Sequence, residues 1–179
     1  MSMSRLMLLA VVTLSAAAVA DDEAKPGLGV PISEADAAAV DYVVLPDGTG
    51  LPDGDGDARR GEALYDQHCI ACHGAEGENG INDRLAGGHG TINTDRPVRT
   101  VGSYWPYATT VFDYLRRAMP YTDPGSLSEN EVYSLTAYLL YINGIIDADA
   151  RIDAQTLPAV KMPNQDNFVW VYEPKALTE

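Results

Sequence analysis

The stretch that most restricts how this chain can fold is Cys69-Ile70-Ala71-Cys72-His73. It contains both cysteines of the 179-residue sequence and puts an imidazole directly behind the second. Two thiols so close together make a poor structural staple, because closing a short loop removes little entropy from the unfolded chain. A C-x-x-C pair otherwise serves as a redox dithiol, as half of a zinc site, or as a haem attachment. The dithiol reading wants a βαβ frame, and no alternation of strand and helix patterns surrounds the pair. The zinc reading wants four nitrogen or sulfur ligands, and beyond the motif the chain offers only His68 and His89 as cysteine or histidine partners. Covalent haem uses the whole motif: Cys69 and Cys72 form thioethers with the two vinyl groups, and His73 lies under the iron as proximal ligand. The expectation is one covalent haem c.

The flanking residues supply a frame for it. Asp57 is a good N-cap residue, and the segment after it predicts a helix of about four turns with the motif at its end. Leu64, His68 and Cys72 share one face of that helix, with Tyr65 and Cys69 beside them. Downstream, Ala108 to Ala118 predicts a second helix with Val111, Leu115 and Ala118 inward. Pro120 ends it, which leaves Met119 free to present its thioether from a loop. Ser128-x-x-Glu131 is a capping box. Val132, Leu135, Leu139 and Ile142 then recur at helical spacing up to Gly144, a stop signal. Met162 also precedes a proline but follows this last helix. What fills the sixth iron position separates electron transfer from chemistry at the metal.

An N-terminal helix, C-x-x-C-H, a long loop, Met-Pro and a final helix is an order that resembles the class I cytochromes c. The resemblance implies an all-α, class I cytochrome c fold with extended N- and C-terminal arms. It implies iron ligation by His73 and Met119, and a crossing of first and last helices through Gly61 and Tyr65 on one and Tyr138 on the other. In "RPVRTVGSYWPYATTVFDYLRRAMP", Tyr104, Trp105 and Tyr107 are aromatics able to wall a haem. Arg99 is a cation that can pair with a buried propionate, or remain an ordinary surface arginine. Cys69, Cys72, His73, Met119, Arg99 and Trp105 are thus the expected haem-binding residues. From about Leu45 to Phe168 the chain is similar, most specifically in W-P-Y-A-T-T and A-M-P, to the haem domain of sulfane dehydrogenase. It is also similar to the monohaem cytochromes paired with periplasmic molybdenum sulfite dehydrogenases. It departs from the sulfane dehydrogenase cytochrome in carrying a single C-x-x-C-H rather than two.

The remaining segments bound the domain. Arg5, the apolar run from Leu6 and the triplet Ala18-Val19-Ala20 read as a cleaved secretory signal over residues 1–20; the run is shorter than the about 20 residues of a membrane span. Residues 21–56, with "LPDGTGLPDGDG", read as an extended Pro/Gly-rich arm. Asp53, Asp55 and Asp57 suggest a calcium loop, but Ala58 and Leu64 stand where its Gly and Glu belong. Residues 57–144 make the cytochrome c domain, and 145–179 a tail that wraps it, with Phe168 and Trp170 as apolar anchors.

The net charge is −14, and −15 once Arg5 leaves with the leader. Such acidity excludes charge-driven binding to nucleic acid or anionic lipid and suits a partner with a basic docking patch. The expected product is a periplasmic one-electron carrier, not itself an enzyme, free of the membrane after signal cleavage. It would accept electrons from a molybdopterin sulfite or sulfane dehydrogenase and pass them to a downstream acceptor in sulfur-compound oxidation. A haem enzyme of thiosulfate dehydrogenase or peroxidase type, a relay subunit of a complex, and a general respiratory cytochrome are the alternatives.

Overall fold

The computed structural model describes residues 28–169; the expected secretory signal and Trp170 lie outside them. The chain divides into two units, Met1–Ala39 and Val40–Glu179. Helix α1 (Glu34–Val40) is opened by Ser33, whose Oγ accepts the Asp36 N–H at 3.1 Å. It stands within the stretch expected to be an extended arm: three consecutive alanines behind a capping serine and two early acids suffice for two turns.

The second unit holds helices α2 (Ala58–His68), α3 (Ile70–His73), α4 (Ala108–Ala118) and α5 (Glu129–Ile142). A two-residue antiparallel pair, β1 (Asp55–Gly56) and β2 (Ile152–Asp153), is its only sheet among the described residues. Asp57 caps α2 by accepting the Arg60 N–H at 2.9 Å. The capping box of α5 forms as expected, with Ser128 N–H donating to Glu131 at 2.8 Å. Helix α5 is the axis of the core. Every residue from Val132 to Leu140 is buried, including Ser134 and Thr136, whose hydroxyls donate back to Asn130 and Val132 carbonyls at 2.7 Å.

The crossing of α2 over α5 is close because Gly61 has no side chain: a Cβ there would lie 2.0 Å from the Ser134 carbonyl oxygen and 2.7 Å from Tyr138 Cβ. One turn on, the Tyr65 and Tyr138 rings meet with centroids 5.1 Å apart. Helix α4 joins from another side through Phe112 against Tyr133, centroids 4.5 Å apart. Aromatic pairs at these separations add about 0.5–1.5 kcal/mol beyond the area they bury.

Two expectations are corrected here. The predicted four-turn helix is two helices. Cys69, at φ −120° and ψ −34°, closes α2 and opens α3. The Cys72 and His73 N–H groups both donate to the Cys69 carbonyl, so the ladder restarts there. Leu64 and His68 therefore belong to one axis, Cys72 and His73 to another.

The segment before α2, expected as an extended arm outside the core, puts one residue into it. Val44 is 3% exposed and donates its N–H to the Asp113 carboxylate at 2.9 Å. Thr109 donates to the Pro46 carbonyl at 3.1 Å, and Tyr133 to the Pro52 carbonyl at 2.8 Å. Short loops rich in Pro and Gly leave carbonyls free for such side chains, and Asp113, held also by Arg117, uses its charge to anchor the strap. Beyond α5, Ile152, Leu157 and Met162 are buried in the same core, and Phe168 lies edge-on to Tyr104. Asp55 faces Asp153 across the strand pair, and Arg60 and Arg151 both engage Asp55. Two arginines thus offset the charge of Asp55. No helix among the described residues is long and apolar enough to cross a membrane.

Candidate haem-attachment site

Helix α3 is one turn long and holds Cys69's neighbour, Cys72 and His73 against the end of α2. Tyr65 ties the outgoing chain back to α2 by donating its hydroxyl to the Gly74 carbonyl at 2.9 Å. Gly74, at φ +75°, makes the turn; a Cβ there would lie 1.9 Å from the Glu78 carbonyl oxygen. The loop folds under the motif, and the Asn82 N–H donates to the Cys72 carbonyl at 2.9 Å.

The loop's closest approach fixes the chemistry of His73. Its Nδ1 lies 2.7 Å from the Asp83 backbone carbonyl. A carbonyl can only accept, so Nδ1 carries a proton, and in the neutral ring the lone pair is then on Nε2. A backbone acceptor on the far nitrogen is how proteins orient a ligating histidine and raise its basicity. Sequence reading could not find Asp83, because a main-chain carbonyl leaves no signature in residue type.

Both thiols are free. Burial, and secondarily the neighbouring Cys72, pushes the Cys69 thiol up to about 11. It is thus protonated at neutral pH, unlike the low-pKa thiolate of a dithiol oxidoreductase. No group of three or more His, Cys, Asp or Glu side chains able to hold a metal ion occurs among the described residues, which speaks against zinc. Leu64, Cys69, Leu85, Trp105 and Met119 are all partly buried side chains packed against one core cluster, the half-covered apolar character that suits residues against a porphyrin. The residues present therefore suit a covalently held haem.

The other expected residues are placed as follows. Met119 leaves α4 as its C-cap with extended backbone, φ −124° and ψ 147°, half-buried beside the core. Met162 is 1% exposed and forms part of the core itself. Trp105 packs edge-on against Tyr114, centroids 5.8 Å apart. Arg99 is exposed, lies over the Tyr104 ring at 5.6 Å, and makes no ion pair among the described residues. His89 is exposed and His68 half-buried.

With this geometry in hand, comparison with known proteins is specific. The family described as "Cytochrome C oxidase, cbb3-type, subunit III" matches residues 56–139. The chain is similar to the sulfane dehydrogenase SoxCD from Paracoccus pantotrophus. The two are 40% identical with a TM-score of 0.74, over 85% of this chain and 73% of the chain compared. It is also similar to a thiosulfate dehydrogenase from Psychrobacter arcticus, 27% identical over 116 residues, or 63% of this chain and 35% of that protein. The chain thus spans about a third of the length of the curated relative it matches.

Proposed function

This chain belongs to the c-type cytochromes, with a class I fold and kinship to sulfane dehydrogenase SoxCD; from that premise we propose that it is a periplasmic carrier of single electrons. It takes them from a molybdenum sulfite or sulfane dehydrogenase during sulfur-compound oxidation and delivers them to a downstream acceptor. The observation that carries the reading is the pairing of two free thiols with an imidazole whose Nδ1 proton is held by Asp83, leaving Nε2 open to a metal.

Each residue has one task. Cys69 and Cys72 hold the haem c covalently. His73 would ligate its iron through Nε2, and Met119 would supply a thioether ligand. Trp105 shields an edge, and Arg99 offsets a propionate. Bound there, the haem supplies one reversible electron. His73 and Met119 would hold the group and the apolar side chains would keep water out, so that its oxidation state could change with little rearrangement. Both cysteines of the chain are committed to attachment, so no thiol remains to carry a sulfur adduct. Residues 1–20 direct export. The charge of −14 recruits a basic partner face.

The test is to mix the purified oxidised protein with sulfite or thiosulfate and follow its reduced α-band. A free cytochrome c control is subtracted for uncatalysed reduction. The expected result is no turnover until a molybdenum sulfite or sulfane dehydrogenase is added, then fast reduction. That reduction slows with salt as the screening length falls from about 30 Å at 0.01 M to about 8 Å at physiological ionic strength. Saturable, multi-turnover oxidation by this protein alone would overturn the carrier reading in favour of an enzyme like the thiosulfate dehydrogenase it resembles.

A further inference from the structure

We propose that Asn143 is a positioning residue for His73, acting through the loop that carries the Asp83 carbonyl; the proposal rests on the reading of His73 as an axial ligand. Asn143 is the C-cap of α5 and is 5% exposed. Its amide is fully used. Nδ2 donates to the Leu139 carbonyl at 2.8 Å and to the Leu85 carbonyl at 3.0 Å, and Oδ1 accepts the Gly87 N–H at 3.2 Å. One buried side chain thus locks two backbone groups of an irregular loop to the end of the most deeply buried helix.

Asp83 itself is exposed. Among the described residues its single hydrogen bond is the one its carbonyl accepts from His73. Its position is therefore set by its neighbours. Upstream, Asn82 donates to the Cys72 carbonyl. Downstream, the Leu85 and Ala86 N–H groups donate to the Gly77 carbonyl at 2.8 and 3.3 Å, and Arg84 pairs with Glu78. Leu85 and Gly87 are held by Asn143, by the Val101 N–H to the Leu85 carbonyl at 3.2 Å, and by Thr100 Oγ1 to the Gly87 carbonyl at 2.6 Å. Gly102 lets Asn143 into place: a Cβ there would lie 2.4 Å from Asn143 Oδ1. Gly77 ties the loop to its own neighbourhood, and a helix end some sixty residues away in sequence ties it to the core, so Asn143 shares in setting where the carbonyl sits that orients the imidazole.

The chemistry follows. The Nδ1–H···O=C bond lends the imidazole electron density and steadies the ferric state. If the loop slackens, the bond lengthens, the ring gains torsional freedom, and the reduction potential rises. An ordinary buried asparagine would change stability and leave the potential alone.

The test uses the holo-protein with Asn143→Leu, which keeps the approximate volume and removes all three hydrogen bonds. Expected are a raised midpoint potential, a shifted or broadened low-spin ferric EPR signal, and exchange of the Gly87 amide faster by about tenfold, as the loss of one hydrogen bond of about 1.4 kcal/mol implies. Thr100→Val removes a second tether of the same loop and should move the potential in the same direction; it carries the test if Asn143→Leu does not fold. Thr136→Val removes the buried hydroxyl that bonds the Val132 carbonyl within α5 and should lower stability with potential and EPR signal unchanged. An Asn143→Leu or Thr100→Val protein that loses stability but keeps the wild-type potential and signal overturns the proposal, as does an equal shift from Thr136→Val. A wild-type protein without a histidine-ligated low-spin spectrum would instead sink the underlying ligand reading.

Discussion

Replacing Gly61 by alanine tests the helix crossing on which the site is built. The new Cβ would lie 2.0 Å from the Ser134 carbonyl oxygen and 2.7 Å from Tyr138 Cβ, about 1.4 Å and 0.7 Å short of the 3.4 Å at which ordinary contact begins. Neither obstacle can rotate away, since one is backbone and the other a Cβ. The helices must part, and the Tyr65–Tyr138 contact at 5.1 Å loosens with them. Overpacking of this kind costs about 1–3 kcal/mol and the aromatic pair about 1 more. Alanine returns about 1 kcal/mol of helix propensity. The net loss is about 2 kcal/mol, or a fall in Tm of about 4–8 °C for a chain of this size. Urea unfolding followed by far-UV circular dichroism measures it. Gly125→Ala serves as a comparison: its φ of +78° is strained for alanine, but nothing lies within 4 Å of the new Cβ. That variant should lose only the conformational cost, about 1 kcal/mol. A Gly61→Ala protein as stable as wild type would refute the close crossing.

Two further outcomes follow from the site and the caps. Met119→Ala should abolish the weak far-red absorption of a thioether-ligated ferric haem and lower the potential, at small cost in stability. Met162→Ala, cut from a fully buried side chain, should cost about 2–5 kcal/mol and leave that absorption in place; the reverse pattern would make Met162 the ligand. The Ser128 hydroxyl and then its N–H hold the Glu131 carboxyl below its ordinary value, and the Arg60 N–H does the same for Asp57. A depressed carboxyl stabilises the fold above its unfolded pKa, and that contribution is lost as pH falls through the lower folded value. Stability should therefore decline below about pH 4.5. Glu131→Gln, which keeps the capping geometry without the titration, should flatten the decline; an unchanged acid slope in urea midpoints would refute the assignment.

Much of the site was written locally. Cys69, Cys72 and His73 are adjacent, so their chemistry is readable from residue type and spacing, and the Asp57 and Ser128–Glu131 caps are local hydrogen bonds between near neighbours in sequence. The approach of Gly61 and Tyr65 to Tyr138 was expected from the resemblance and is present in the structure. The break at Cys69 escaped the periodicity because one residue's backbone angles decide it, and side-chain pattern runs through unchanged. The burial of Val44 and the docking of residues 44–56 escaped for a different reason: a Pro/Gly-rich composition reports what the chain cannot form by itself. It does not report which carbonyls Thr109 and Tyr133 will reach from sixty to eighty residues away.

The residue types of the motif alone determined what this chain is suited to hold, since the thioethers and imidazole ligation proposed for it would depend on atoms that lie within five residues. Only the tertiary structure decided how that imidazole is aimed. The acceptor on His73 is a main-chain carbonyl, identical in every amino acid. Its place depends on a loop pinned by Asn143 from the far end of α5. Hydrogen bonds between backbone and a distant side chain follow from packing, and packing is a property of the whole core.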